Sequence, residues 1–232
     1  MYWNRAGLKA DGKEKFRRNY GNCVLVSLIV GLITGTGGSV SIERWLEDTT
    51  FALWFLIPGA VVILVQILVF SVLEMGACRF YVENRDYQAG VSKILFGFQS
   101  GHYGNVVLVM FLRNLFTFLW TLLLIVPGIV KSYEYRMVPY ILAEQPDISS
   151  TDAFAISKEM MMGQKLEAFG LDLSFLGWWI GSAFTCGLLG IFWALPYQAA
   201  TNAELYGALR DDWIRLFRKY PFSYIEIFAK IK

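Results

Sequence analysis

The sequence predicts an all-α membrane protein of six transmembrane helices, arranged as three hairpins, each preceded by a cytoplasmic amphipathic helix. Three observations predict it: long uncharged runs, a one-sided distribution of basic residues, and a motif that recurs along the chain. Of 232 residues, 56% are hydrophobic and 16% aromatic, while only 17% carry charge. An ordinary soluble domain carries about a quarter charged residues. Charges are absent from Asn19 to Ile42, Thr49 to Leu73, Asn114 to Val130 and Leu173 to Ala203, runs of 24, 25, 17 and 31 residues. A helix that crosses the hydrocarbon needs about 20 such residues.

The runs give six spans: 20–38, 51–75, 104–126, 128–144, 168–185 and 188–208. The 31-residue run divides at Thr185-Cys186-Gly187-Leu188-Leu189-Gly190, read as a tight turn, and Pro127-Gly128 plays the same part between spans three and four. The basic N-terminal segment, with Arg5, Lys9, Lys13, Lys15, Arg17 and Arg18, lacks the small-residue cleavage pattern of a signal peptide, so the first helix is retained.

Lys and Arg gather on the cytoplasmic side of short loops. With both termini inside, the inside segments hold 17 of the 21 basic residues, and the first outside loop holds only Arg44. A five-span arrangement would put the basic tail outside. Residues 1–209 are therefore read as one transmembrane domain, and 210–232 as a basic amphipathic cytoplasmic tail, with Trp213, Phe217, Phe222 and Phe228 among its cations.

The repeat sets the hairpin organisation. Tyr20-Gly21-Asn22-Cys23-Val24-Leu25-Val26 recurs as Tyr103-Gly104-Asn105-Val106-Val107-Leu108-Val109, and Phe169-Gly170 is a fainter copy. Met137-Val138-Pro139-Tyr140 with Glu144 resembles Ala194-Leu195-Pro196-Tyr197 with Glu204, and Pro58-Gly59 with Glu74 has the same outline. Two-span units that each start inside all point the same way. The third leading segment, Ser149-Ser150-Thr151-Asp152, begins like a capped helix; Ala153, Ile156 and Met160 follow at helical spacing, as in a helix lying in the membrane surface.

The segments Leu122 to Ile129, Pro139 to Pro146, Ala153 to Gly163 and Leu171 to Trp178 resemble a bacterial family, domain of unknown function 975. The resemblance runs from about Met1 to Leu209 and is most specific from Pro127 to Trp178. It implies a bacterial plasma-membrane location with several spans. More distantly, the Pro-Gly-Ile turn followed by a Pro, a Glu and an amphipathic segment is similar to the membrane domain that accompanies some glycerophosphodiester phosphodiesterases. No catalytic domain accompanies it here, so that likeness implies no activity. The residues after Asp211 depart from the family pattern.

A charge within the bilayer costs several kcal/mol unless it is paired or meets water, so each is a candidate site residue. Arg113 lies nine residues into span three, about 12 Å deep at 1.5 Å per residue. The candidate intramembrane polar site is Arg113, Asn114, Lys131, Glu134, Arg136 and Asp172, with Gln66, Gln198 and Asn202 able to line the same space. Glu134 is the expected partner of Arg113 across the hairpin, and Asp172 the reserve. Two readings stay open: structural ion pairs that fix helix register, or a cavity whose two arginines hold an anionic headgroup or substrate.

No catalytic residue, cofactor or metal site is expected. His102 is the only histidine and lies at a helix entrance, and no HExxH, GxSxG, Walker loop or dinucleotide fingerprint occurs. Cys23, Cys78 and Cys186 lack metal or disulfide spacing and read as reduced packing residues. The net charge of +2 and the absence of a basic groove interleaved with aromatics exclude nucleic acid. The expected role is non-enzymatic: an accessory or partner-binding protein in envelope or lipid homeostasis, or alternatively a small transporter or lipid-handling protein. Its expected partners are membrane lipids with anionic headgroups, and a protein partner or a second copy.

Overall fold

The computed structural model describes residues 3–35 and 64–219, which are helical throughout apart from turns and short connections, with no strand among them. Most of expected span two, the outside loop carrying Arg44, and the last 13 residues of the tail lie outside the described residues. The first unit holds α1 (Arg5–Arg18) and α2 (Tyr20–Gly35), then a π-helical stretch, Gln66–Phe70, leading into α3 (Ser71–Asp86). The second opens with a 3-10 turn, Val91–Leu95, and α4 (Phe96–Gln99). It continues through α5 (Tyr103–Leu123), α6 (Ile125–Glu134) and α7 (Val138–Glu144). The third comprises α8 (Ser150–Met160), α9 (Lys165–Leu173), α10 (Leu176–Phe184), a π-helical stretch at Gly190–Ala194, and α11 (Leu195–Lys219).

Local chemistry accounts for the helix ends. Asn4 caps α1 by accepting the Ala6 N–H at 3.0 Å, and Lys15, Arg17 and Arg18 occupy its last turn, where cations suit the helix dipole. Ser149 caps α8 through the Asp152 N–H at 3.1 Å, as the sequence predicts. Cys186 (φ 51°) and Gly187 (φ 86°) take left-handed backbone at the expected turn between α10 and α11. That turn leaves Cys186 exposed, so it is not a packing residue, whereas Cys23 is buried.

Two expected spans are divided. The turn between α5 and α6 falls at Leu124, in extended backbone, rather than at Pro127-Gly128. Pro127 sits in the first turn of α6, where its missing N–H has no helical partner to lose. Span four breaks at Tyr135–Met137 because Pro139 has no N–H to give the Tyr135 carbonyl four residues back; it sits instead in the first turn of α7. Span five breaks at Ser174-Phe175, where the Ser174 hydroxyl bonds the Leu171 carbonyl at 2.6 Å. By contrast, α11 runs through residue 209 without interruption to Lys219, so no helix break marks the boundary drawn there.

Among the described residues, α5 alone is both long and apolar enough to cross a membrane. Its 21 residues rise about 31 Å. Its tip is unusually bare: Leu122, Leu123, Leu124, Ile125 and Val126 are each 60–72% exposed, and Phe184 at the end of α10 is 85% exposed.

The return helices α3, α7 and α11 form the centre. α3 packs on both others, and Tyr140 of α7 stacks on Tyr206 of α11 with centroids 5.2 Å apart. Each leading segment then packs on the return helix of the preceding unit. The 91–95 turn lies on α3, α8 on α7, and α1 on α11, which closes the units into a ring. Two of these joints need glycine. A Cβ on Gly76 would stand 1.8 Å from the Ile94 carbonyl oxygen, and one on Gly12 would stand 2.8 Å from the Thr201 Cα. At the third joint the buried Ser157 hydroxyl donates to the Glu134 carbonyl at 2.6 Å and accepts the Met137 N–H at 3.3 Å, satisfying the backbone freed by the break.

The recurring Tyr-Gly-Asn has a structural counterpart. Asn22 donates its side-chain amide to the Ala89 carbonyl at 3.2 Å, just beyond α3; Asn105 donates to the Pro146 and Ile148 carbonyls, both at 2.8 Å, just beyond α7. In both units the asparagine ties the entrance of the outgoing helix to the exit of the return helix. The third unit has Leu171 at this position, fully buried.

Candidate functional site

The six residues singled out by sequence divide among three places. Arg113 on α5 donates Nη1 to Glu74 Oε1 of α3 at 2.8 Å. The expected Arg113–Glu134 pair is therefore replaced: the partner comes from the neighbouring unit, because α3 packs directly on α5. Asn114, one position on, is exposed on α5.

Glu134 is taken up by two lysines. Lys131 Nζ reaches Oε2 at 2.5 Å and Lys165 Nζ reaches Oε1 at 2.6 Å, while the carboxylate itself is buried. Lys131 also lies 5.4 Å from the Trp120 ring, a cation–π distance that joins α6 back to α5.

Arg136 and Asp172 make the most specific arrangement. Nη1 and Nη2 of Arg136 bond the two Asp172 oxygens at 2.7 and 2.8 Å, the parallel fork that suits guanidinium and carboxylate. Nη2 also meets Asn202 Oδ1 at 2.9 Å, and the Tyr133 hydroxyl donates to Asp172 at 2.8 Å. Four elements, α6, the 135–137 break, α9 and α11, are thus pinned by one ion pair. On sequence, Arg136, Asp172 and Asn202 share one site with Arg113 and Glu134, and Asp172 is the reserve partner of Arg113, whereas here Asp172 pairs with Arg136. Of the further polar candidates, Gln198 accepts the Trp179 indole N–H at 3.2 Å.

A further polar layer, not among the sequence candidates, joins the three return helices, at the C-terminal parts of α3 and α7 and the middle of α11. Arg85 pairs with Glu204 at 3.2 Å, Arg210 with Glu144, and Arg79 donates to the Ala143 carbonyl at 2.9 Å. Tyr206 donates to Glu144 at 2.8 Å. Glu83 receives Arg79 Nε at 2.5 Å and Lys93 Nζ at 2.9 Å, with the Tyr87 hydroxyl. Burial works to raise the Glu83 carboxyl, but hydrogen bonds from Tyr87, Lys93 and Arg79 outweigh it and hold it below the usual carboxylate value. Glu144 and Glu204 were already marked by the repeat; reading them as ion-pair members was the step that signal allowed.

Residues 122–212 match the family described as Protein of unknown function (DUF975). The match bears out the resemblance to domain of unknown function 975 over these residues, a shorter stretch than the expected 1–209, and does not bear on the likeness to the phosphodiesterase membrane domain; it contains the Glu134 and Arg136 clusters, while Arg113 and Glu74 precede it. No curated protein and no solved structure matches the chain. Among the described residues no group of His, Cys, Asp or Glu has the arrangement of a metal site.

The cavities separate the candidates again. One of about 250 Å³ is lined by Glu134, Lys158, Met162, Gly163, Lys165 and Leu166, at the elbow between α8 and α9. Another of about 220 Å³ lies between α1 and α11, with Trp3, Asp11 and Asp212. Arg113, Arg136 and Asp172 line neither.

Proposed function

We propose that the chain is an integral membrane protein of the bacterial plasma membrane, multi-pass with both termini cytoplasmic, that serves a non-enzymatic, partner-binding role in envelope or lipid homeostasis. The observation that carries this reading is the division of the surface. An exposed apolar cap, Phe116 to Val130 with Leu176 to Phe184, faces outward, while Arg113, Arg136 and Lys165 are held in internal pairs with carboxylates. Such a cap far exceeds the scattered apolar residues of a soluble surface. Lipid covers it at no cost.

The six spans are part of this reading. Uncharged runs, the inside bias of Lys and Arg, and the recurrence of a leading segment followed by two helices support it. Breaks at 135–137 and 174–175 are compatible with a membrane helix because Ser157 and neighbouring helices re-satisfy the freed backbone.

A lipid-handling role is the second reading, and the elbow cavity beside Glu134 favours it. Against a transport pathway, Arg113 and Arg136 are held by carboxylates and line neither of the cavities described above. The test of the membrane reading is extraction. Alkaline carbonate is expected to leave the protein in the membrane pellet and detergent to release it; release by carbonate alone overturns the reading.

A further inference from the structure

We propose that the elbow between α8 and α9 is a binding site for the phosphate-bearing headgroup of an anionic lipid, with Lys158 and Lys165 as its cationic arms. This rests on the membrane reading above. The site is a cleft of about 250 Å³, formed where Gly163, at φ 74°, turns the chain from one helix into the next.

Its electrostatics select an anion. Lys165 and Lys131 share the single carboxylate of Glu134, and Lys158, exposed at the rim, has no ion-pair partner among the described residues. The lining itself carries two lysines and one carboxylate, and Lys131 meets that carboxylate from beside the cleft. Neither neighbouring acid lines the cleft: Glu159 turns to the Trp213 indole at 3.1 Å, keeping its charge outside, and Glu167 is neutralised by Arg5 at 2.7 Å.

Its surroundings select a lipid rather than a free anion. Leu166 is 83% and Met162 66% exposed, and both line the cleft beside the lysines. Phe169, one turn beyond Leu166, is also exposed. Cations beside bare apolar side chains match a molecule with a charged head and hydrocarbon tails. Lysines near a membrane surface favour anionic lipid through the same attraction.

The experiment is native mass spectrometry of the full chain in neutral detergent, titrated with phosphatidylglycerol or with phosphatidylcholine of the same acyl chains. Phosphatidylglycerol is expected to be retained in preference. Lys158→Ala is expected to weaken that retention about fivefold, the value of one surface lysine, and Lys158→Glu to weaken it further. Lys13→Ala on α1, outside the cleft, is expected to leave it unchanged. Lys158 is exposed, so both variants keep the wild-type melting temperature.

Equal retention of the two lipids overturns the site while leaving the membrane reading intact. A preference untouched by Lys158→Glu also overturns it, placing the lipid elsewhere. Inorganic phosphate is expected not to compete; displacement of phosphatidylglycerol by phosphate at equal concentration overturns the assignment to lipid in favour of a free anion. Carbonate extraction from membranes, by contrast, removes the membrane reading itself.

Discussion

A guanidinium set nine residues into an apolar helix must find water or a carboxylate, and Arg113 finds Glu74 at 2.8 Å. The need for an acidic partner was legible in the sequence because the cost of an isolated charge in hydrocarbon depends only on its surroundings. The choice of partner was not. Glu134 lies on the same hairpin and is nearer in sequence, but contact order along the chain does not say which unit lies beside which, and α3 takes that place. Glu134 is instead satisfied twice by lysines. Arg113→Met alone is expected to cost about 3 kcal/mol by leaving Glu74 uncompensated, and Arg113→Met with Glu74→Gln less than that. Thermal unfolding of the four proteins of this cycle in detergent checks it. A second residue-scale outcome concerns pH. The Glu83 carboxyl is held below its unfolded value, so its stabilisation is complete above about pH 4.3, the unfolded value, and is lost as pH falls through the lower folded one. Melting temperature is expected to drop over that acid window in the wild type and less steeply in Glu83→Gln.

Elements were legible where a strong local signal marks them. The Ser149 cap of α8, the turn at Cys186-Gly187 and the helix entrances at Tyr20 and Tyr103 all fall where composition puts them. The breaks were harder to read because apolarity, which defines a span, is indifferent to whether one helix or two short ones fill it. Pro139 carried that information, yet proline is tolerated in membrane helices when neighbours supply the missing bonds. Ser157 is that neighbour, and it serves two backbone groups at once. Ser157→Ala is expected to destabilise by about 2 kcal/mol, since it strands a buried carbonyl and a buried N–H. Ser157→Thr is expected to retain the hydroxyl yet crowd a fully buried position. Their unfolding midpoints, compared with Ser149→Ala at the exposed cap, separate loss of a buried bond from loss of a helix cap, which costs about 1 kcal/mol.

At the level of the whole molecule, the repeat visible in sequence corresponds to a rule of assembly. Each leading segment rests on the return helix before it, and each Tyr-Gly-Asn ties entrance to exit. In the six-span reading proposed above, the same rule sets orientation, with every unit starting on the basic side. Thiol labelling in intact cells is expected to reach Glu47→Cys from outside and Lys158→Cys and Arg218→Cys only after the inner face is opened; labelling of Arg218→Cys from outside contradicts the six-span topology. The ring also orders events in time. Gly12 on α1 is synthesised about 190 residues before Thr201, the residue it packs against, so at 5–20 residues per second the newborn first helix waits about 10–40 s for its seat. During that interval Phe16, which ends fully buried against Trp193, has no cover from the 190–194 stretch that carries Trp193. A nascent chain stalled before the last helix therefore displays an unclosed seam, with the α1 face that seats Thr201 still open.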